Sequence, residues 1–358
     1  MSNRLILAIN PGSTSTKFAL FREDELLFER TLRHTTAELS AFGKVTDQFH
    51  YRKGLIMKEL EASGFSTGEI VAVVGRGGLV RPIESGIYRV SRKMKEDLVT
   101  GVMGEHASNL GGLIADDIAG TIPGAEAFIV DPVVVDELDP VARISGCPEI
   151  ERVSIFHALN QKAVARIYAS SVNRKYEDMN LIVAHMGGGI SVGGHRNGRV
   201  IDVNNALNGD GPFSPERSGG LPSGQLIEIC FSGKHTYAEL RSMITGKGGM
   251  VAYLGTNNFM EVCSMADRGD NKAILIRDAL AYQVGKEIGA MAAVLHGKVD
   301  AIILTGGLAY QASHVEKLKA MVGFIARVVV YPGEDEIRAL AFNGLLAIDG
   351  RIEIRNYS

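Results

Sequence analysis

The segment Asn10-Pro11-Gly12-Ser13-Thr14-Ser15-Thr16-Lys17 separates two apolar runs, residues 5–9 and 18–21. A strand, a Gly/Ser/Thr turn and a second strand form a hairpin that can turn backbone N–H groups and hydroxyls toward a phosphate. Gly12, Ser13 and Ser15 supply those donors, Lys17 adds a cation, and Asn10 offers an amide where the first strand ends. Glycine and serine suit any turn, so alone this segment reads equally well as a polar hairpin with no ligand. The second half of the chain repeats it. Leu181-Ile182-Val183-Ala184-His185-Met186 runs into Gly187-Gly188-Gly189, and Ile190-Ser191-Val192 follows. Asn197-Gly198 then marks a tight turn before 199–202, where Glu23-Asp24 precedes 26–28 in the first half. Two copies in order imply an internal duplication. Two related domains would each offer a phosphate loop to a shared cleft.

Other elements must position these loops. The spacing predicts helices over 47–62, 93–102 and 110–118, and strands over 70–74 and 127–130. A helix over 158–176 leads into the second glycine loop. Strands at 181–185, 190–195 and 199–203 come next, then a Gly/Pro-rich loop over 204–224 and several helices. The clearest helix is 276–295, with Leu280, Val284, Ile288, Met291 and Leu295 on one face. Buried strands at 299–304 and 327–331 and a last helix over 335–348, which could return to the first domain, complete the pattern. Strands alternating with helices give an α/β fold built on mixed sheets.

Bulk properties narrow the function classes. The 358 residues suit two domains. A net charge of −3 and the lack of any basic run with interleaved aromatics exclude an electrostatic case for nucleic acid. No apolar stretch reaches the roughly 18 residues of a membrane span. Cys147, Cys230 and Cys263 are odd in number and far apart, against a disulfide framework or zinc knuckle. With an opening apolar run too short for a signal h-region, they imply a cytoplasmic protein.

Several further motifs complete a pattern: Ser154-Ile155-Phe156-His157-Ala158-Leu159-Asn160-Gln161-Lys162, Phe213-Ser214-Pro215-Glu216-Arg217-Ser218-Gly219, Leu304-Thr305-Gly306-Gly307, and Tyr331-Pro332-Gly333-Glu334-Asp335-Glu336. With the two glycine loops, they make the chain resemble, nearly end to end, the acetokinase family of acyl kinases and its butyrate kinase branch most closely. The resemblance implies the actin/Hsp70-like (ribonuclease H-like) fold, with two duplicated α/β domains around a nucleotide cleft. One domain would span 1–153 and about 337–358, the other 154–336. It also implies reversible transfer of phosphate from ATP to a short-chain carboxylate such as butyrate, with ATP/ADP and Mg²⁺, in a homodimer or larger homo-oligomer.

The chemistry explains the residue types. A carboxylic acid is already ionised at neutral pH, so its attack needs no strong base. The obstacle is bringing an anion to a triphosphate, so cations and fixed donors should dominate. Arg217 lies in a Gly/Pro-rich loop and, in the resemblance, clamps the transferring phosphoryl group; without the motif it reads as a solvated loop arginine. His185 ends a buried strand beside three glycines, as an imidazole donor to phosphoryl oxygens or a satisfied core histidine. His157 opens a helix, where it reads as a cap; the resemblance makes it a cleft residue near the phosphoryl or acyl group. Asp131 ends a strand before a proline, where it reads as a turn-former; the resemblance makes it an acyl-site carboxylate near magnesium and the transferring group.

The resemblance places Arg76 near the substrate carboxylate. Other acyl kinases have a histidine here and an arginine upstream, where Val73 stands, so Arg81 is a rival anchor. His106 and Asn109 resemble an acyl-site loop. Gly187, Gly188 and Gly189 would approach the phosphates, although many acetate kinases carry asparagine where Gly188 stands; Gly306 and Gly307 would approach the adenosine. Glu334, Asp335 and Glu336 begin a helix, as electrostatic caps or as ligands of a hydrated magnesium, with Asn10 completing the corner and Asp335 or Glu336 favoured.

Rival motifs fail. Gly233-Lys234 is followed by His235, with Glu228 where a P-loop needs glycine, and Gly75-Arg76-Gly77 reaches Val80 where a dinucleotide fingerprint ends in glycine. Two other readings stay open. One is an acetate or propionate kinase. The other is a non-catalytic nucleotide-binding member of the same fold, which would not need Arg217, His185 and Asp131 together.

Overall fold

A computed structural model describes residues 4–358. The chain divides into two compact units: one runs to Val135 and resumes over Asp335–Ser358, the other is Asp136–Glu334.

In the first unit β1 (Leu5–Pro11), β2 (Ser15–Arg22) and β3 (Glu25–Arg33) form an antiparallel meander, with Ile9 opposite Phe18. β4 (Ile70–Arg76) lies parallel to β1, β5 (Ile87–Arg89) pairs antiparallel with β6 (Glu126–Val130), and β6 lies parallel to β4. In the second unit β7 (Asn180–Met186), β8 (Ile190–Arg196) and β9 (Arg199–Val203) repeat the meander. β10 (Ala301–Gly306) then lies parallel to β7, and β11 (Val328–Pro332) parallel to β10. The short β12 (Ile354–Arg355) closes the first sheet, whose order is β12-β5-β6-β4-β1-β2-β3; the second is β11-β10-β7-β8-β9. The duplication read from the glycine loops is therefore a duplication of strand order. It extends to a register shift in the second strand of each meander, at Leu20/Phe21 and Gly194/His195.

The central strands are apolar on both faces because helices cover both faces. Leu181 and Val183 pack with Val164 and Tyr168 of the helix Ala158–Ser171, while Ile182 and Ala184 face a core with Leu280, Val284 and Ile288 of the helix Asn271–Val294. In the first unit the last helix, Glu336–Ile348, lies against β1 and β4, with Gly344 close to Val74 and Ile6.

Two expectations shift, and two short strands are added. The domain division falls at Val135/Asp136 rather than 153/154. Residues 136–153 pack on β9 and its surroundings: the Asp139 N–H donates to Ile201 O at 2.9 Å, and Arg152 pairs with Asp202 at 2.8 Å. The helix expected over 158–176 ends at Ser171, with a 3₁₀ turn at Tyr176–Asp178, because Asn173 adopts φ +52° and breaks the ladder. The three-residue β5 and two-residue β12 were too short to leave a periodic signal.

One half-buried acid sets a pH dependence of stability. Glu287, on the helix Asn271–Val294, is pushed up to about 7, first by burial and then by the Asp210 and Asp202 carboxylates. An acid raised in the folded state contributes stability at pH below its unfolded value, and that stability is lost as pH climbs through the folded value. Glu287→Gln is expected to leave urea stability unchanged near pH 4 and to raise it by about 1–3 kcal/mol at pH 8. Equal effects at both pH values would contradict this.

Candidate active site

In the second unit three parallel strands, β7, β10 and β11, end together, with His185 level with Thr305 and Thr305 level with Tyr331. Open α/β sheets bind ligands beyond the carboxyl ends of their strands. Here Gly187–Gly189 follows β7, Gly306 ends β10 and Gly307 begins a 3₁₀ turn, and Glu334 follows β11. Gly187, Gly188, Gly307 and Glu334 share with Glu216 and Asn257 the lining of a hollow of about 540 Å³.

His185 is fully buried. Its Nδ1 lies 2.8 Å from Asn160 Oδ1, and since an amide oxygen only accepts, Nδ1 carries the proton. Its Nε2 makes no hydrogen bond and stands 3.0 Å from Glu334 Oε1, out of line for one. The His157 ring stacks on the His185 ring, with centroids 3.7 Å apart and planes 11° from parallel. His157 is the N-cap residue of the helix Ala158–Ser171, and its side chain makes no capping bond; Nδ1 meets Ser191 Oγ at 2.8 Å. The capping alternative is thereby removed.

Arg217 is half-buried, and its guanidinium packs on the backbone of Gly189. A Cβ at Gly189 would collide with Nη1, so glycine is required by close approach. Nη1 donates to Ala206 O at 2.6 Å. The Arg217 N–H donates to Ser214 Oγ at 3.2 Å, and Ser214 Oγ donates to Gly188 O at 2.7 Å, which ties the arginine loop to the glycine loop.

In the first unit Asn10, Arg76 and Glu336 meet. Asn10 Nδ2 donates to Glu336 Oε2 at 2.8 Å, Arg76 Nη1 lies 3.1 Å from the same oxygen, and Arg76 Nη1 donates to Asn10 Oδ1 at 3.3 Å. Glu336 is 3% exposed, and its second oxygen, Oε1, is buried without a hydrogen-bond partner. A buried carboxylate oxygen left unmatched is costly unless something fills that place. Among the described residues no group of three acidic, histidine or cysteine side chains could cage an ion. The corner therefore fits magnesium held by one carboxylate, water and phosphate oxygens rather than by a protein cage. Asp131 is buried at the end of β6 with φ +36°, a strained conformation; its Oδ1 accepts from Ser85 Oγ at 2.6 Å and from the Gly86 N–H at 2.8 Å.

The other expected residues have partners of their own. Asp335 points outward and pairs with Arg338 at 3.2 Å as the N-cap of the last helix, so it does not join Glu336. Arg81 pairs with Asp97 at 2.9 Å, and Asp97 is held down to about 2, chiefly by its bond from Lys93. Asn109 is buried and engaged: Oδ1 accepts from the Leu79 N–H at 2.8 Å and Nδ2 donates to Gly104 O at 3.0 Å. His106 Nδ1 contacts Ser108 Oγ at 2.8 Å, one residue before the helix Asn109–Gly120. Lys17 pairs across β2 and β3 with Glu29 at 2.9 Å.

The Gly12–Ser15 turn is held from behind by a residue that sequence reading passed over. Arg52 is fully buried and donates to Gly12 O at 2.8 Å, Ser15 O at 3.0 Å and Ser13 O at 3.1 Å. Its signal was its place on the apolar stripe Arg52, Ile56, Leu60. Asn160, Ser191, Gln161 and His195 were likewise missed; the signal was polar side chains at Ser191 and His195 on one face of an otherwise buried strand.

The acetokinase family model matches residues 150–326. Butyrate kinase 2 of Clostridium acetobutylicum is 56% identical over 352 residues, 98% of this chain and 99% of that protein, and butyrate kinase 1 of the same organism is 55% identical over the same span. Among solved structures, an acetate kinase from Porphyromonas gingivalis aligns over 96% of this chain and all of that one, with a TM-score of 0.80 at 19% identity. A propionate kinase from Francisella tularensis aligns over 95% and 98%, with a TM-score of 0.74 at 18% identity. Structural likeness at such identity establishes the shared fold, and the near-complete match to the curated relatives establishes more: the chain belongs to the acetokinase family.

Proposed function

We propose that the protein is a butyrate kinase, which transfers the γ-phosphoryl group of ATP to butyrate or a branched relative, reversibly. A carboxylate oxygen forms a bond to the γ-phosphorus as the bond to the β,γ-bridging oxygen breaks; ADP leaves and the acyl phosphate remains. The observation that carries the reading is the gathering of Arg217, His185 and His157 beside Gly187–Gly189. Arg217 and the His157 imidazole can hold charge on phosphoryl oxygens while His185 stacks on His157 and fixes its ring, and a carboxylate nucleophile needs no strong base. The 55–56% identity to butyrate kinases supports the acceptor.

The hollow beside Gly307 receives the nucleotide. In the other unit Arg76 meets the acid's carboxylate and Asp131 lies at the acyl site. Asn10 and Glu336 hold magnesium, which supplies charge neutralisation on the phosphates. ADP formation with butyrate is expected to require Mg²⁺ or Mn²⁺; full activity in excess chelator would contradict the reading.

We also propose self-association. The helices Ser223–Phe231 and Tyr237–Ile244 bury no residue, and Ile227 and Phe231 are 58% and 87% exposed. Apolar exposure on this scale fits contact with a second copy. Light scattering should give at least a dimer mass, and Phe231→Glu should lower it; a monomeric parent protein would refute this.

A further inference from the structure

Behind the stacked histidines runs a line of buried polar side chains to which the phosphoryl-transfer reading gives no part. Strand β8 places Ser191, Gly193 and His195 at every second residue, on one face. The first turn of the facing helix places His157 and Gln161 four residues apart, on one side. Gly193 lets the two ladders meet, because a Cβ there would stand 2.6 Å from Gln161 Oε1 and 3.2 Å from His195 Nε2. The resulting chain runs Tyr176, His195, Gln161, Ser191, His157.

Donor and acceptor chemistry sets the direction of every bond in it. Gln161 lies 3.1 Å from the backbone carbonyl of Ser191, which only accepts, so the atom facing it is the amide nitrogen. The amide oxygen therefore faces His195 Nε2 at 2.9 Å, and Nε2 must carry a proton. His195 is fully buried with Lys162 and Arg166 nearby, and burial first, then those cations, hold it neutral. Its Nδ1 is then a lone pair and accepts from Tyr176 Oη at 2.7 Å. The second Gln161 proton goes to Ser191 Oγ at 2.9 Å, and the His157 backbone N–H points at the same oxygen from 3.4 Å. With both lone pairs of Ser191 addressed, its own proton has His157 Nδ1, at 2.8 Å, as its acceptor.

We propose that Gln161, His195 and Ser191 are positioning residues that hold His157 in the tautomer with its proton on Nε2. His157 then offers a donor to an oxygen of the reacting group, whereas the neighbouring His185 is anchored in the opposite sense, with Nδ1–H on Asn160. The catalytic meaning of this tautomer rests on the acyl-kinase reading above; the tautomer itself does not.

Nitrogen-15 NMR of the full-length protein labelled at histidine decides it, with the His157 signals assigned by their loss in His157→Asn. The parent protein should show an unprotonated Nδ1 and a protonated Nε2. Ser191→Ala, which removes the proton given to Nδ1, should give mixed tautomers at His157 and a fall in kcat of about tenfold, with KM for ATP within about twofold. Ser191→Thr, which keeps the hydroxyl, should restore both. A proton on Nδ1 in the parent protein overturns the proposal without any variant. So does a fall in kcat for Ser191→Ala with the tautomer unchanged, or a tautomer change with kcat intact. If the parent protein phosphorylates no carboxylate, the acyl-kinase reading fails, while the NMR result still decides the tautomer.

Discussion

Arg217→Ala is expected to lower kcat by roughly two to four powers of ten, with a smaller effect on KM for ATP. The guanidinium is not a loose surface group. It packs on the Gly189 backbone, donates to Ala206 O at 2.6 Å, and sits on a loop tied through Ser214 to Gly188 O. That anchoring fixes the guanidinium beside the glycine loop before the reaction starts, so charge on a phosphoryl group there would be met without reorganisation. Arg217→Lys should rescue poorly, because an ammonium cannot hold the carbonyl and the phosphoryl group in one plane. Unchanged kcat in a folded Arg217→Ala protein would return this side chain to a purely structural part.

Glu336→Gln should produce the second large effect. The substitution keeps the shape and the contact with Asn10 but removes the charge from a side chain that is 3% exposed. If the unmatched Oε1 serves magnesium, kcat should fall by about 100-fold or more, and the Mg²⁺ concentration for half-maximal rate should rise at least tenfold. Asp335→Asn provides the contrast. Its side chain caps the last helix and meets Arg338 in solvent. That substitution should cost at most about 1 kcal/mol of stability and leave the Mg²⁺ dependence unchanged. The reverse pattern would move the metal from the buried to the exposed carboxylate.

Sequence reading reached the central strands because both faces of β1 and β7 are covered, which leaves unbroken apolar runs such as Leu5-Ile6-Leu7-Ala8-Ile9. It reached the glycine loops because they interrupt those runs at the same place twice. It did not separate Asp335 from Glu336, since adjacent residues at a helix start differ only in which way the first turn faces. It did not show how Arg81 and Asn109 are held, because their partners, Asp97 and the Leu79 N–H, are distant in sequence or on the backbone and leave no local pattern. The line from Tyr176 to His157 escaped for the same reason: it joins a 3₁₀ turn, a strand and a helix across 34 residues between Gln161 and His195.

The central claim is the acceptor. Each methylene buried in a fitting apolar pocket contributes about 1 kcal/mol, so the two that butyrate adds to acetate should favour it by tenfold or more. The gain should fall mostly in KM, because those methylenes lie away from the transferring phosphorus. The most direct measurement is acyl hydroxamate formation from ATP, Mg²⁺, hydroxylamine and a panel of acids from acetate to valerate, with isobutyrate included. The account predicts the highest kcat/KM for butyrate or isobutyrate. A preference for acetate would leave the phosphoryl-transfer site standing and contradict the butyrate assignment, and no hydroxamate from any acid would contradict the acyl-kinase reading itself.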